Sequence, residues 1–431
     1  MMKTLLKNVT LLPEYGFENR SVNVLIKDKK IHGIAETVAS DFVPDEVIDC
    51  TGNLLIPAFY NTHCHAAMTL FRGYGEDLPL QRWLEERIFP AEDKLTFRSV
   101  YHATNLAIAE MLKAGIASFS DMYMFEDAVA EAVLATGIKA NLSRCLVSFD
   151  PNIDMSQENR MVEAIRLAEW YHGADDGRIL VDFSLHAEYT NVPKACEYVA
   201  EVAKRFKTGM QIHLSETEKE HLDCIGRWGK TPTEFFRDTG VLDVPTTAAH
   251  GVWLEDGDIA ILAEKKATVA HNPVSNLKLG SGVMPLRKLL DAGVNVALGT
   301  DGVASNNRLD MLRELQTAAI LHKGVNRDPA CITCKEIFPM ATRNGAISQR
   351  RLDCGEIKVG NRADLVLLDR NALHNMPSYD DYAMIAYSAE RADVCMTMVD
   401  GRILYRNGEY TSIDEERMRF ECRETFAHYF E

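Results

Sequence analysis

No stretch of this sequence approaches the roughly 18 uncharged apolar residues that a membrane helix needs, so no membrane partner is expected. Positive charge is also short: Lys and Arg total 47 against 63 Asp and Glu, a net charge of −16. Such a surface repels phosphate backbones and anionic lipids, which makes nucleic acid a poor first partner. A disulfide framework is missing too. The ten cysteines are scattered, and the opening MMKTLLKNVTLLPEYG is interrupted at Lys7 and Asn8 before an apolar secretory core can form. The cysteines therefore read as free thiols in a reducing compartment, and a cytoplasmic location is the expectation. Internal repeats and low-complexity segments are absent. What remains is an ordinary globular composition, 46% hydrophobic and 26% charged over 431 residues, enough for one large α/β domain and a smaller companion.

The pattern of short runs predicts that division. Residues 2–50 carry strand-like runs separated by polar turns, which suggests a small antiparallel sheet. Eight apolar runs then alternate with stretches of helical spacing: 54–60, 117–122, 138–145, 179–186, 210–215, 246–251, 268–272 and 294–301. Eight strand–helix units predict a closed (β/α)8 barrel. From about residue 355 short strands return, and GRILYRNGEY carries an Asn-Gly hairpin signal. The expected organisation is a barrel over 53–354 and a small β-sandwich domain built from both termini, 1–52 and 355–431, with a C-terminal helix.

Active sites of such barrels sit at the C-terminal ends of the strands. His63, His65, Arg144, His186, His213, Glu216, His250, His271, Asn272 and Asp301 all fall at or just after those ends. His63 and His65 form an H-x-H pair whose rings share one side of a strand. Alone, that pair is as readily structural as metal-binding. His213 and Asp301 add a third imidazole and a carboxylate, a donor set that suits zinc, with iron or manganese accepted by the same groups. One open site predicts one divalent metal per chain. Glu216, three residues after His213, is placed to shuttle protons, although SETEKE also reads as a plain acidic helix start. His250 is placed to orient water, or to be a satisfied core histidine.

Other signals carry less. Residues 226–231 imitate a phosphate-binding loop, but Cys224 stands where its first glycine belongs. Cys331 and Cys334 are a lone C-x-x-C pair. His186-Ala-Glu188 with that pair imitates the small zinc deaminases, yet Ala330 separates Pro329 from Cys331. Trp83, in LQRWLEERIFPAED, reads as a core anchor, and His271 as a hydrogen-bonding strand-end residue.

Taken together, PAFYNTHCHAAMTLFRGYGEDLPLQRWLEERIFPAED, QIHLSETEKE, AAHGVWL, VAHNPVSNLKLGSG and LGTDGVASNN resemble the amidohydrolase superfamily over nearly the whole chain. Within it the likeness is to the branch that deaminates 5′-methylthioadenosine and S-adenosylhomocysteine. The resemblance implies that His63, His65, His213 and Asp301 hold the metal, and that Glu216 and His250 move protons and orient water. It further implies that Glu92 holds ribose hydroxyls, His186 contacts the nucleoside, and Arg144 and Arg160 hold an amino-acid carboxylate. Trp83 lies inside a matching stretch and joins the substrate contacts. Leu185-His186 stands where two-metal members carry a modified lysine, so one metal is implied. Departures are PAFYNTH, where Pro-Gly is usual, and Glu188, which places an extra carboxylate near His186.

The expected reaction is hydrolytic removal of the 6-amino group from an adenosine derivative: S-adenosylhomocysteine, 5′-methylthioadenosine or adenosine itself. Water activated at the metal attacks the purine, Asp301 takes its proton, and Glu216 protonates the ring nitrogen and the leaving ammonia. Alternatives are a guanine, 8-oxoguanine or triazine deaminase or hydrolase on the same barrel, and a metal-free barrel with no catalytic role. The expected partner is a small nucleoside, and a homo-oligomer is left open.

Overall fold

The computed structural model describes residues 2–17, 20–427 and 429. The parts of the terminal domain expected at residues 1, 18–19, 428 and 430–431 lie outside these. Two nine-stranded sheets organise the chain. One is the barrel. Its strands run in space as Asn295–Leu298, Thr268–His271, Thr246–His250, Met210–Leu214, Phe183–Leu185, Lys139–Leu146, Ile116–Tyr123 and Phe59–Cys64, with Ile179–Val181 beside Lys139–Leu146. All neighbouring pairs are parallel, as strand–helix units demand. Strands buried on both faces read as unbroken runs rather than alternating ones, and every residue of Ile116–Tyr123 is buried.

The seam between the last and first strands closes through specific bonds. Asp301 N donates to His63 O at 2.9 Å, and Asn61 Oδ1 accepts from Thr300 N at 2.9 Å while its Nδ2 donates to Thr300 Oγ1 at 2.7 Å. Gly299 makes the approach feasible, since a Cβ there would lie 2.9 Å from His63 N.

The terminal sheet combines both chain ends, as expected. Its order is Glu409–Tyr410, Arg402–Arg406, Val394–Val399, Leu365–Asp369, Asn53–Pro57, Lys3–Leu11, Val22–Lys27 and Lys30–Ala35, with Glu46–Asp49 against Lys3–Leu11. The sheet bends so that Leu6, Val24 and Ile26 share one core with Leu55, Leu365 and Met398. The Asn-Gly hairpin forms, with Asn407 and Gly408 both at positive φ, as a type I′ turn requires.

Two expected strands are each divided. The run 54–60 belongs to both sheets: Asn53–Pro57 pairs with Lys3–Leu11 and Leu365–Asp369, and only Phe59–Cys64 enters the barrel. The run 179–186 breaks at Asp182, whose carboxylate pairs with Arg350 at 2.6 Å. Beneath the barrel a buried ion cluster ties the two sheets together. Lys139 Nζ lies 2.5 Å from Asp364 Oδ2 and 2.7 Å from Asp400 Oδ1, all fully buried. Among the described residues no helix is long and apolar enough to cross a membrane.

Candidate active site

The C-terminal ends of the barrel strands gather the titratable residues into one bowl. The His63 and His65 rings lie 4.9 Å apart and edge to face. His65 Nδ1 contacts Met122 O at 2.7 Å, and His213 Nδ1 contacts His186 O at 2.7 Å. A carbonyl accepts only from N–H, so both rings carry a proton on Nδ1 and present Nε2 inward. These two Nε2 atoms sit 3.4 Å apart. His63 Nε2 is buried without a hydrogen-bond partner. Asp301 Oδ1 approaches His65 Nε2 at 3.3 Å and His63 Nε2 at 3.6 Å. Three imidazole Nε2 atoms and a carboxylate converging on one buried spot are the donor set of a cation site. His63, His65 and His213 form one set of ligand atoms within 4.8 Å, and His63, His250 and Asp301 a second. His250, expected only to orient water, thus lies within ligand reach as well.

Surrounding bonds fix these groups. Asp301 Oδ2 accepts from Ser275 Oγ at 2.6 Å and Ser305 Oγ at 2.8 Å, and Oδ1 accepts from Gly302 N at 2.7 Å. His250 Nδ1 faces Asn276 Oδ1 at 2.9 Å. Glu216 Oε2 is 3.8 Å from His250 Nε2, and its Oε1 accepts from Ser281 Oγ at 3.3 Å. Burial pushes the Glu216 carboxyl above its ordinary range, with His250 opposing and Asp301 adding to the rise. Ser215, His250 and Asp301 all hold positive φ. Strain at three non-glycine strand ends around one bowl is a mark of function.

A cavity of about 330 Å³ opens over this cluster. Of the expected residues, His65, Trp83, Glu92, Arg144, Arg160, His186, His213, Glu216, His250 and Asp301 line it, with His63 buried just beneath. Glu92 Oε1 accepts from Tyr123 OH at 2.6 Å. Burial lifts the Glu92 carboxyl to about 7 against the Tyr123 bond. Burial brings His186 down to about 4, so its ring is neutral, with Nδ1 3.2 Å from Thr190 Oγ1. Arg160 Nη1 donates to Val147 O at 2.8 Å. Arg144 Nε donates to Glu163 Oε2 at 2.6 Å, and its Nη1 donates to Cys145 O at 2.9 Å.

Several residues lie elsewhere. Glu188 does not line the cavity; its side chain is fully buried and Oε1 accepts from Arg227 Nη2 at 2.6 Å. Its contact with Arg227 directs it away from the cavity. His271 sits outside the cavity lining, its Nε2 3.0 Å from that of His322. Residues 226–231 are a helix end and the start of the next helix rather than a phosphate loop.

Six supporting residues escape the sequence reading: Tyr123, Glu220, Ser275, Asn276, Ser281 and Ser305. Glu220 Oε1 accepts from Ser215 N at 2.9 Å and Oε2 from Glu216 N at 2.8 Å, which sets the turn that carries Glu216. The signal is Thr217-x-x-Glu220, a capping-box spacing. Here the glutamate reaches past the cap to the two residues before it.

The amidohydrolase family model matches residues 54–404. A 5-methylthioadenosine/S-adenosylhomocysteine deaminase of Dictyoglomus thermophilum is 42% identical over 412 residues, 93% of this chain and 96% of that one. A 5′-deoxyadenosine deaminase of Methanosarcina acetivorans is 41% identical over 430 residues, 98% of this chain and 97% of its own. The crystal structure of an adenosine deaminase from Xanthomonas campestris with bound zinc superposes with a TM-score of 0.94 at 30% identity, covering 100% of this chain and 99% of that one.

Proposed function

This chain belongs to the amidohydrolase family, and from that premise we propose that it is a metal-dependent deaminase of the 6-amino group of adenosine derivatives. Its substrates are S-adenosylhomocysteine, 5′-methylthioadenosine and nucleosides of that type. The observation that carries this reading is one cavity of nucleoside size that unites the cation-type cluster, a proton-carrying glutamate, Glu92 and two arginines. A bare base such as guanine, or a triazine, offers nothing for Glu92 and the arginines to hold.

His63, His65, His213 and Asp301 would hold one divalent ion, zinc first. When bound, such an ion supplies Lewis acidity and lowers the pKa of water at neutral pH. The chain's own residues do the rest. Asp301 accepts the proton of the attacking water, held in place by Ser275 and Ser305. Glu216, whose carboxyl is raised by burial, gives its proton to the purine ring nitrogen, then moves the hydroxyl proton of the adduct to the departing amine, and the proton held by Asp301 restores it. His250, braced by Asn276, orients the water. Glu92 receives the ribose hydroxyls, the neutral His186 ring meets the nucleoside, and Trp83 walls the apolar side of the cavity. Arg144 and Arg160 face the 5′ substituent. The ten free cysteines support a reducing, cytoplasmic setting.

The test is ammonia release across adenosine, 5′-methylthioadenosine, S-adenosylhomocysteine, guanine and cytosine, with elemental analysis of the purified protein. Expected are turnover of the adenosine derivatives alone and about one metal per chain, lost in His63→Ala. Glu216→Gln should keep the metal and lose roughly 10²–10⁴ in turnover. Release from guanine but not the nucleosides, or full turnover by the Gln variant, overturns the reading.

A further inference from the structure

The two arginines of the cavity are not electrostatically equal. Arg144 is held by Glu163 through Nε at 2.6 Å. Glu163 is absent from the cavity lining; it faces a second cavity of about 290 Å³ on the far side of Arg144, with Asp127 and Trp170. Arg144 lines both spaces, together with Met124, and its charge is compensated from behind. For Arg160, among the described residues, no carboxylate lies within ion-pair distance; it donates to a neutral carbonyl, Val147 O. In a chain of net charge −16, Arg160 supplies the uncompensated positive charge at this end of the cavity.

Resting on the deaminase reading above, we propose that Glu163 is a specificity-determining residue that acts through Arg144. It cancels one of two positive charges facing the 5′ substituent, so that a single net cation remains for a carboxylated tail, while a neutral tail binds the same with or without it. The accepted class is then 5′-modified adenosines with neutral or zwitterionic tails, without added preference for anionic ones. Removing the Glu163 charge frees a planar guanidinium to pair with a carboxylate.

The test uses three adenosine substrates differing only at the tail: 5′-methylthioadenosine (neutral), S-adenosylhomocysteine (zwitterionic) and 5′-(2-carboxyethylthio)adenosine (anionic). Glu163→Gln keeps the side-chain shape, and the position is 45% exposed, so the fold should hold; a matching melting temperature checks it. The expected result is a fall in KM for the anionic substrate by about two- to fivefold, the range of a partly exposed ion pair. KM for S-adenosylhomocysteine should fall less, because its ammonium group gains repulsion. Values for 5′-methylthioadenosine, and kcat throughout, should not change. A rise in KM for S-adenosylhomocysteine alone overturns the proposal and makes Glu163 a partner of the ammonium group. Equal changes on all three substrates also overturn it, leaving Glu163 a structural brace. Turnover of 5′-methylthioadenosine by the parent enzyme keeps the deaminase reading intact in either case, and its absence sinks that reading first.

Discussion

At the scale of single residues, the site depends on groups whose protonation is set by burial. Glu92 is the clearest case, because its carboxyl is lifted to about 7. Above that pH it is ionised and, in its proposed role, a strong acceptor for ribose hydroxyls; below it the protonated form accepts more weakly. KM for ribonucleosides should therefore rise as pH falls through about 7, and Glu92→Gln should give a higher KM that no longer changes there. A pH-dependent KM that survives in the Gln variant would detach Glu92 from the ribose. The residues legible from sequence were those with strand-end positions and metal-type spacing, such as His63, His65 and Asp301. Asn276, Ser281 and Tyr123 were not, since each touches a target carried by another part of the chain and nothing in their local spacing announces the meeting. Glu188 shows the converse: its sequence position beside His186 suggested the pocket, and only the Arg227 contact turns it away.

At the scale of elements, periodicity located the strands but could not assign their sheets. Residues 54–60 read as one apolar run, and Pro57, just before Ala58 where the chain leaves one sheet for the other, is the only local break in it. The barrel floor was equally hidden. Its interior is polar: Gln349 Nε2 donates to Asn61 O at 3.0 Å and to Ser120 Oγ at 3.2 Å, pairings between residues far apart in sequence. Below it, Lys139 is the single ammonium shared by Asp364 and Asp400. Lys139→Met leaves two buried carboxylates without it, so stability should fall by roughly 3–5 kcal/mol, the cost of breaking a buried ion pair. Denaturant unfolding measures this, and a loss below about 1 kcal/mol would mean that Arg178 and Arg362, which also reach Asp400, suffice. The bowl lies at the opposite end of the strands, so kcat of the folded variant should match the parent.

At the scale of the whole molecule, barrel and terminal sheet share a core. Leu54, Ile56, Val366 and Leu368 of the sheet pack in one continuous cluster with Phe59, Ile108 and Leu112 of the barrel and its helices. The composite plan was legible because strand-like runs flank the barrel on both sides; this shared packing was not, because it depends on contacts between faces that no single run defines. The seam adds a second global link, since its last bond joins His63 to Asp301, residues of the proposed cation site. Ligands that bind only the folded state stabilise it by mass action. Chelation should therefore lower the melting temperature and speed amide exchange first in Phe59–Cys64 and Asn295–Leu298; uniform loss of protection would separate site from seam. The same closure imposes an order in time. On the ribosome, a growing chain displays His63 and His65 well before Asp301 is synthesised. Three of the proposed cation site's four donors, His63, His65 and His213, thus precede its carboxylate, and the set is complete only when the last strand comes home against the first.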